Sequence, residues 1–303
     1  MRRRTVLLSG AGYGLNMLTP DTAEADSSAP TLASYYERHM ALAAGVAYGW
    51  LGQGAPMRQR AGVRQVGVSQ DAFFALLDDG TLLSWADTAD APRTLMHGVA
   101  RFAAGQSGWF AIDPADVLWH ATAAQAAPQR IAEGVVDACI GDSADYYIRR
   151  DGTLFAKGLA HRGQYGDGRL VSTPDFVATA HDAVAVKAHT GHALHLRRDG
   201  VVMGTGGNRF GPLSAHGLGD KAERWGPLFD SATAIATGSR HSAAIRGDGS
   251  LWVWGEGFGI APRKLLDGVA AVAAGDTATI VFTRDGALRQ WNAGRGPRLL
   301  ELR

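Results

Sequence analysis

His241-Ser242-Ala243-Ala244-Ile245-Arg246-Gly247-Asp248-Gly249-Ser250-Leu251-Trp252-Val253-Trp254-Gly255 is the stretch that decides the fold. An apolar run enters an Asp-Gly turn and a second apolar run leaves it, the sequence form of a β-hairpin. The turn recurs at Asp79-Gly80, Asp151-Gly152, Asp199-Gly200 and Asp285-Gly286. A degenerate copy has Asp116 at the glycine position before Val117-Leu118-Trp119, and a shortened first copy has Gly45 before Val46-Ala47-Tyr48. The seven turn positions are 45, 80, 116, 152, 200, 249 and 286, spaced 35, 36, 36, 48, 49 and 37 apart. Self-similarity at such a period is the mark of a repeat architecture.

The flanks keep phase with the turns. Leu76, Ile112, Ile148, Leu196, Ile245 and Phe282 lie four residues before the turn position, and Phe74, Phe110, Tyr146, Leu194, Ala243 and Ile280 lie six before it. Equal parity puts both sets on one face of a strand. Trp50, Trp85, Trp254 and Trp291 lie five after it. Each hairpin is preceded by another apolar run ending in a small residue, as in Ile235-Ala236-Thr237-Gly238. A fourth short piece follows, as in Pro262-Arg263-Lys264-Leu265. Four short strands in each of seven repeats predict an all-β chain: a seven-bladed β-propeller of four-stranded antiparallel blades, with its ring closed by the N- and C-terminal segments. The first unit lacks a clear innermost strand. The expectation is therefore that residues 31–60 supply part of a blade and 297–302 end the last one, which hides the edge strands.

The units resemble the regulator-of-chromosome-condensation repeat family, whose blades carry V-A-A-G, H-[ST], D-G and an L-[WY]-x-W-G-like strand. Residues 241–255 are the nearest copy, and Gly163-Gln164-Tyr165-Gly166-Asp167-Gly168 is similar to the family's G-Q-L-G-x-G loop. The resemblance covers roughly 36–303 and implies a seven-bladed propeller; the short spacings near 36 depart from the family's usual length.

Composition bounds the function. The chain has 303 residues, 46% hydrophobic and 19% charged, with 40 Gly and one Cys. A single cysteine, Cys139, permits neither an internal disulfide nor a Cys-based zinc cluster, and it reads as a small buried residue. Lys and Arg number 30 against 29 Asp and Glu, so no strong field steers the chain to nucleic acid or an acidic membrane.

Residues 1–25 read as an export signal, and 26–303 as a single propeller domain. Three arginines precede a short, Gly-broken apolar stretch and Ala23-Glu24-Ala25, and Arg3-Arg4-Thr5-Val6-Leu7 looks like the twin-arginine motif. Cleavage after Ala25 would leave a periplasmic or secreted protein.

No G-x-S-x-G elbow, H-E-x-x-H, Walker loop or paired-carboxylate motif appears, so no catalytic residue, metal or cofactor is assigned. His192 and His241 share one repeat slot and read as ordinary repeat histidines. His189 instead takes the slot of Gly105, Gly141, Gly238 and Gly275, and Lys187 takes that of Gly67, Ala103, Cys139, Ala236 and Ala273. Large polar groups thus replace small ones near the ring axis of one blade. They are a solvated channel lining, or a contact for an anion or a partner.

Two neighbouring loops keep near-family length, 159–175 and 205–226. They offer Arg162, Tyr165, Arg209, Phe210, Arg224 and Trp225, and nearby loops add Trp109, Arg240 and Asp276. Arg and aromatic residues are the usual anchors of protein interfaces. The plain alternative is that Tyr165, Phe210 and Trp225 pin their own loops. Trp109, Tyr165, Lys187, His189, Arg209, Phe210, Arg224, Trp225 and Arg240 are the candidate partner-binding residues. The resulting expectation is a monomeric, non-enzymatic protein-binding propeller of the bacterial envelope or exterior, able to act as an inhibitor. Secreted β-lactamase-inhibitory propellers of the same family are the parallel in style. The alternatives are a secreted effector exchanging nucleotide on a host small GTPase, and an envelope hydrolase or lyase with a site assembled from several blades.

Overall fold

The computed structural model describes residues 30–106, 108–122, 127–214, 219–292 and 295–302; the export signal predicted over 1–25 lies outside them. Within the described residues the chain forms seven four-stranded antiparallel sheets, each built from one continuous segment in sequence order. Blades 1 to 7 span 31–61, 63–96, 101–132, 135–180, 183–229, 232–266 and 269–300. The first strand of each blade lines the ring axis and the fourth lies outermost. Connections between first and second strands, and between third and fourth, emerge on one side, the loop face. The Asp-Gly turns emerge on the other.

Those turns form for local reasons. Gly80, Gly152, Gly200, Gly249 and Gly286 have φ between +83° and +87°, which costs glycine nothing. The preceding aspartates accept the N–H two residues on, as Asp248 Oδ1 does from Ser250 N at 2.8 Å. Asp116, the residue standing in for glycine, adopts φ 59°, a conformation Asp tolerates better than most residues. Turn carbonyls then register the next blade: Gly249 O accepts from Val269 N at 2.9 Å, and Gly45, Gly80, Asp116, Gly152 and Gly200 do the same for their successors.

Packing has no single centre. The buried apolar side chains fall into seven clusters, one at each seam between neighbouring blades. Second strands are therefore buried on both faces: Phe73–Leu77 and Ala278–Thr283 are almost wholly inaccessible. This explains why both parities of those strands are apolar.

The repeated H-[ST] doublet has a seam role as well. Ser242 Oγ donates to Pro212 O at 2.8 Å, so His192 Nε2–H in blade 5 donates to Ser242 Oγ in blade 6, at 3.1 Å. His241 Nε2 lies 2.9 Å from Thr279 Oγ1 of blade 7. The histidine of one blade bonds the hydroxyl of the next.

The terminal segments close the ring, but differently from the strand-sharing expected of the first unit. Residues 31–61 make a complete blade, with Thr31–Tyr35 as its innermost strand. Its hairpin is tighter than the others. Ala43 pairs with Val46 across a two-residue turn, Ala44-Gly45, with φ of 49° and 72°. Closure is side-chain packing between two whole blades. Trp50 packs with Ile280, Phe282, Leu288 and Leu300, and donates from Nε1 to Gln290 Oε1 at 3.4 Å. Gln290 Nε2 donates in turn to Gly52 O at 3.2 Å.

Candidate functional site

First strands converge at the loop-face end of the axis, which explains the small residues there. A Cβ on Gly105 would stand 2.4 Å from Ile140 O, and one on Gly238 would stand 2.4 Å from Gly275 O. Blade 5 places His189 in that slot. In blade 1 the slot holds Tyr35, since the ladder Ser34–His39–Trp50 matches Thr237–Ser242–Trp254. These two exceptions meet across the ring, their rings stacked 4.5 Å apart. Tyr36 stands edge-on to His189 at 5.2 Å.

Asp142 of blade 4 fixes this axial cap. It accepts hydrogen bonds from the Tyr35 hydroxyl on one oxygen and from the Tyr36 hydroxyl on the other, the latter at 2.6 Å. Burial, followed by the Asp142 hydrogen bond, raises both phenol pKa values, so the hydroxyls remain donors. Burial lowers the His189 pKa, and its Nδ1 lies 3.0 Å from Thr190 Oγ1. Tyr35 and Tyr36 carried no repeat signal, because counting from Gly45 misplaces strands joined by a shortened turn.

Beside the cap lies a cleft of about 280 Å³ formed by loops of blades 4, 5, 6, 7 and 1. Arg162, Arg209, Phe210, Arg240, Tyr36 and Asp276 stand around it, with Thr190, His192, Ser239, Pro212 and two glycines, Gly191 and Gly207, also on its lining. Phe210 is 40% exposed, and the Arg240 and Arg209 guanidinium carbons lie 4.6 and 5.8 Å from its ring centre. Cation–π contact of this kind holds an exposed ring in place. Arg162 reaches over from blade 4. Cβ atoms on Gly191 and Gly207 would lie within 4.0 Å of its side chain, so those glycines leave it room.

The remaining candidates lie elsewhere. Trp109 is buried in the seam of blades 2 and 3. Tyr165 is fully buried, and its hydroxyl donates to Gly158 O at 2.7 Å and accepts from Thr173 N at 3.0 Å, tying its own loop. Trp225 packs under Gly166 and edge-on to His195 at 4.6 Å, while Arg224 Nη1 donates to Asp167 O at 3.2 Å. Both staple the 159–172 loop of blade 4 onto blade 5. Lys187 lies in the axial wall. Asp137, ahead of the opposing effect of burial, raises its pKa. Burial pushes the neighbouring Cys139 thiol up to about 11, as suits a space-filling residue. The structure thus gathers Arg209, Phe210 and Arg240 with His189 nearby, and adds Arg162 and Tyr36.

Residues 232–258 match the regulator of chromosome condensation (RCC1) repeat. No curated protein matches the sequence significantly. Among solved structures, Prp20p of Saccharomyces cerevisiae, described with its binding to Gsp1p and histones, is similar with a TM-score of 0.66 and 16% identity, over 81% of this chain and 80% of that one. Human WBSCR16 is similar with a TM-score of 0.57 and 15% identity, over 92% and 83%. PorZ, a bacterial surface component of the type-IX secretion system of Porphyromonas gingivalis, aligns with a TM-score of 0.61 and 12% identity, over 91% of this chain but 38% of PorZ. At these identities the likeness concerns fold. The ring of seven four-stranded blades makes the chain a seven-bladed β-propeller, and residues 232–258 within it match a regulator-of-chromosome-condensation repeat.

Proposed function

We propose that the chain is a non-enzymatic protein-binding propeller of the bacterial envelope or exterior, and that its partner docks on the loop face around Phe210. One observation carries this reading. Of the exposed large apolar residues among those described, Leu51, Met57, Leu159, Leu170, Val171, Phe210 and Ile260 all lie in or at the edge of third-to-fourth-strand connections, hence on the loop face; Leu299 is the exception. Exposed apolar groups gathered on one side, interleaved with arginine, suit a protein interface. The export signal and the likeness to a bacterial surface component support the address.

A photocrosslinking amino acid at position 210 is expected to trap a discrete partner in the producing cell, and one at Arg149, on the turn face, is not. With that partner purified, Phe210→Ala should weaken binding at least tenfold, about 1.4 kcal/mol or more. Equal crosslinking from both positions would remove the loop face as the docking site. Replacing Arg3 and Arg4 by Lys should abolish export while leaving the folded protein in the cytoplasm; unchanged export would remove the twin-arginine route. A second reading, action on a small GTPase, draws on the likeness to Prp20p. It requires accelerated nucleotide release when the protein is mixed with the GTPase.

A further inference from the structure

We infer that the cleft beside the axial cap receives a carboxylate side chain of the protein partner, presented beside an apolar residue that packs on Phe210. This rests on the loop-face reading and names the chemistry recognised there. Three guanidinium groups, those of Arg162, Arg209 and Arg240, stand around one cleft of about 280 Å³. Three carboxylates lie near them: Asp276 on the lining, Glu256, which pairs with Arg240 at 3.1 Å, and Asp142, bonded to the hydroxyl of the lining Tyr36. Among the described residues Arg162 and Arg209 enter no ion pair. Three guanidinium groups and three carboxylates leave no net charge around the cleft, but Arg162 and Arg209 have no carboxylate partner of their own and stay open to one from outside. Attraction of an acid to this point is local rather than a property of the whole surface.

The surroundings select among anions. Thr190 and Ser239 place hydroxyl groups on the lining, and Gly191 and Gly207 bring backbone to the foot of Arg162. Arginine presents its N–H groups in a fork that matches both oxygens of a carboxylate. A free phosphate would leave Phe210 and Ile260 uncovered. Ile260 lies beside Gly211, the residue that follows Phe210: a Cβ on Gly211 would stand 3.4 Å from it. A nucleic acid would need a tract of basic groups, whereas the rim here carries Asp276 and Glu256. An acidic segment with an aliphatic or aromatic neighbour fills both halves of the site. Desolvation between Phe210 and the partner's apolar residue strengthens the ion pair beside it.

The test is selection of a displayed library of random dodecapeptides on the full-length folded protein at physiological salt. Peptides with Asp or Glu next to Leu, Ile or Phe are expected to be enriched. The same selection on the Arg162→Gln, Arg209→Gln double variant should lose that enrichment. The best peptide should bind the wild type at least tenfold more tightly than its Asn or Gln counterpart, and Arg149→Gln should change nothing. Enrichment without acids, equal affinity for acid and amide peptides, acid enrichment that survives the double variant, or displacement of the peptide by a single-stranded oligonucleotide at lower concentration would each overturn the inference. Failure of the two readings is separable. A partner crosslinked at position 210 that binds the double variant normally leaves docking standing and removes the carboxylate. A partner indifferent to Phe210→Ala as well removes both.

Discussion

A chain beginning at residue 62 is expected to lose cooperative unfolding altogether. Blade 1 is bounded by two seams, and neither neighbour can replace it. Toward blade 2, Met40, Leu42 and Ala47 cover Val63, Val66, Phe73 and Trp85; toward blade 7, Ala41 and Trp50 cover Ile280, Phe282, Leu288 and Leu300. Removing the blade exposes the faces of blades 2 and 7 that pack against it. It also strips Asp142 of both tyrosine donors and His189 of its stacked ring. Losing a buried Trp or several Leu-sized side chains costs about 3–5 kcal/mol at each site, against a total stability of about 5–15 kcal/mol. The truncated chain should bind a hydrophobic dye and give a broad or absent melting transition in calorimetry. A transition as sharp as that of the full chain, at the same temperature, would refute ring closure through blade 1.

The second large effect is acid sensitivity above the usual carboxylate range. Burial lowers the pKa of His39, His195 and His241 from 6.5 to about 4, and that of His192 to about 3. In the unfolded chain these imidazoles take up protons near pH 6.5. Below that value the unfolded state binds more protons than the folded one, so stability falls as pH falls. The stabilisation is complete above pH 6.5 and is lost progressively down to about pH 4. A shift of this size amounts to about 3 kcal/mol per histidine at pH 4, so four together rival the stability of a typical domain. Urea unfolding should give constant stability from pH 7 to 8 and a steep decline from 6.5 to 4. His241→Asn keeps a side-chain donor near Thr279 and removes the titrating group, so its decline should be shallower. A flat profile down to pH 5, or an unchanged slope in His241→Asn, would contradict the role of buried neutral histidines.

Blade number and turn positions were legible in sequence because they rest on local chemistry. Asp-Gly turns need positive φ and a nearby acceptor, strand pairs need period-two apolar residues, and both requirements repeat about every 36 or 49 residues. Even the oddity at Asp116 could be placed, because its flanks kept phase. His189 stood out for a similar reason, as a large residue in a slot where Cβ atoms collide with the neighbouring backbone. Contacts created by the convergence of blades could not be read in this way. Tyr35 and Asp142 are 107 positions apart, and only ring closure makes them hydrogen-bond partners. Which aromatic residues face outward was equally hidden. Tyr165 and Trp225 look no different in sequence from Phe210, but Tyr165 is buried with its hydroxyl on backbone carbonyls, Trp225 is half-buried against Gly166, and Phe210 stays exposed. The ring of hairpins is written in the sequence, since each hairpin forms from neighbours in the chain. How the ring closes, what caps its axis and which arginines share a cleft depend on three-dimensional packing, because those contacts join residues of different blades.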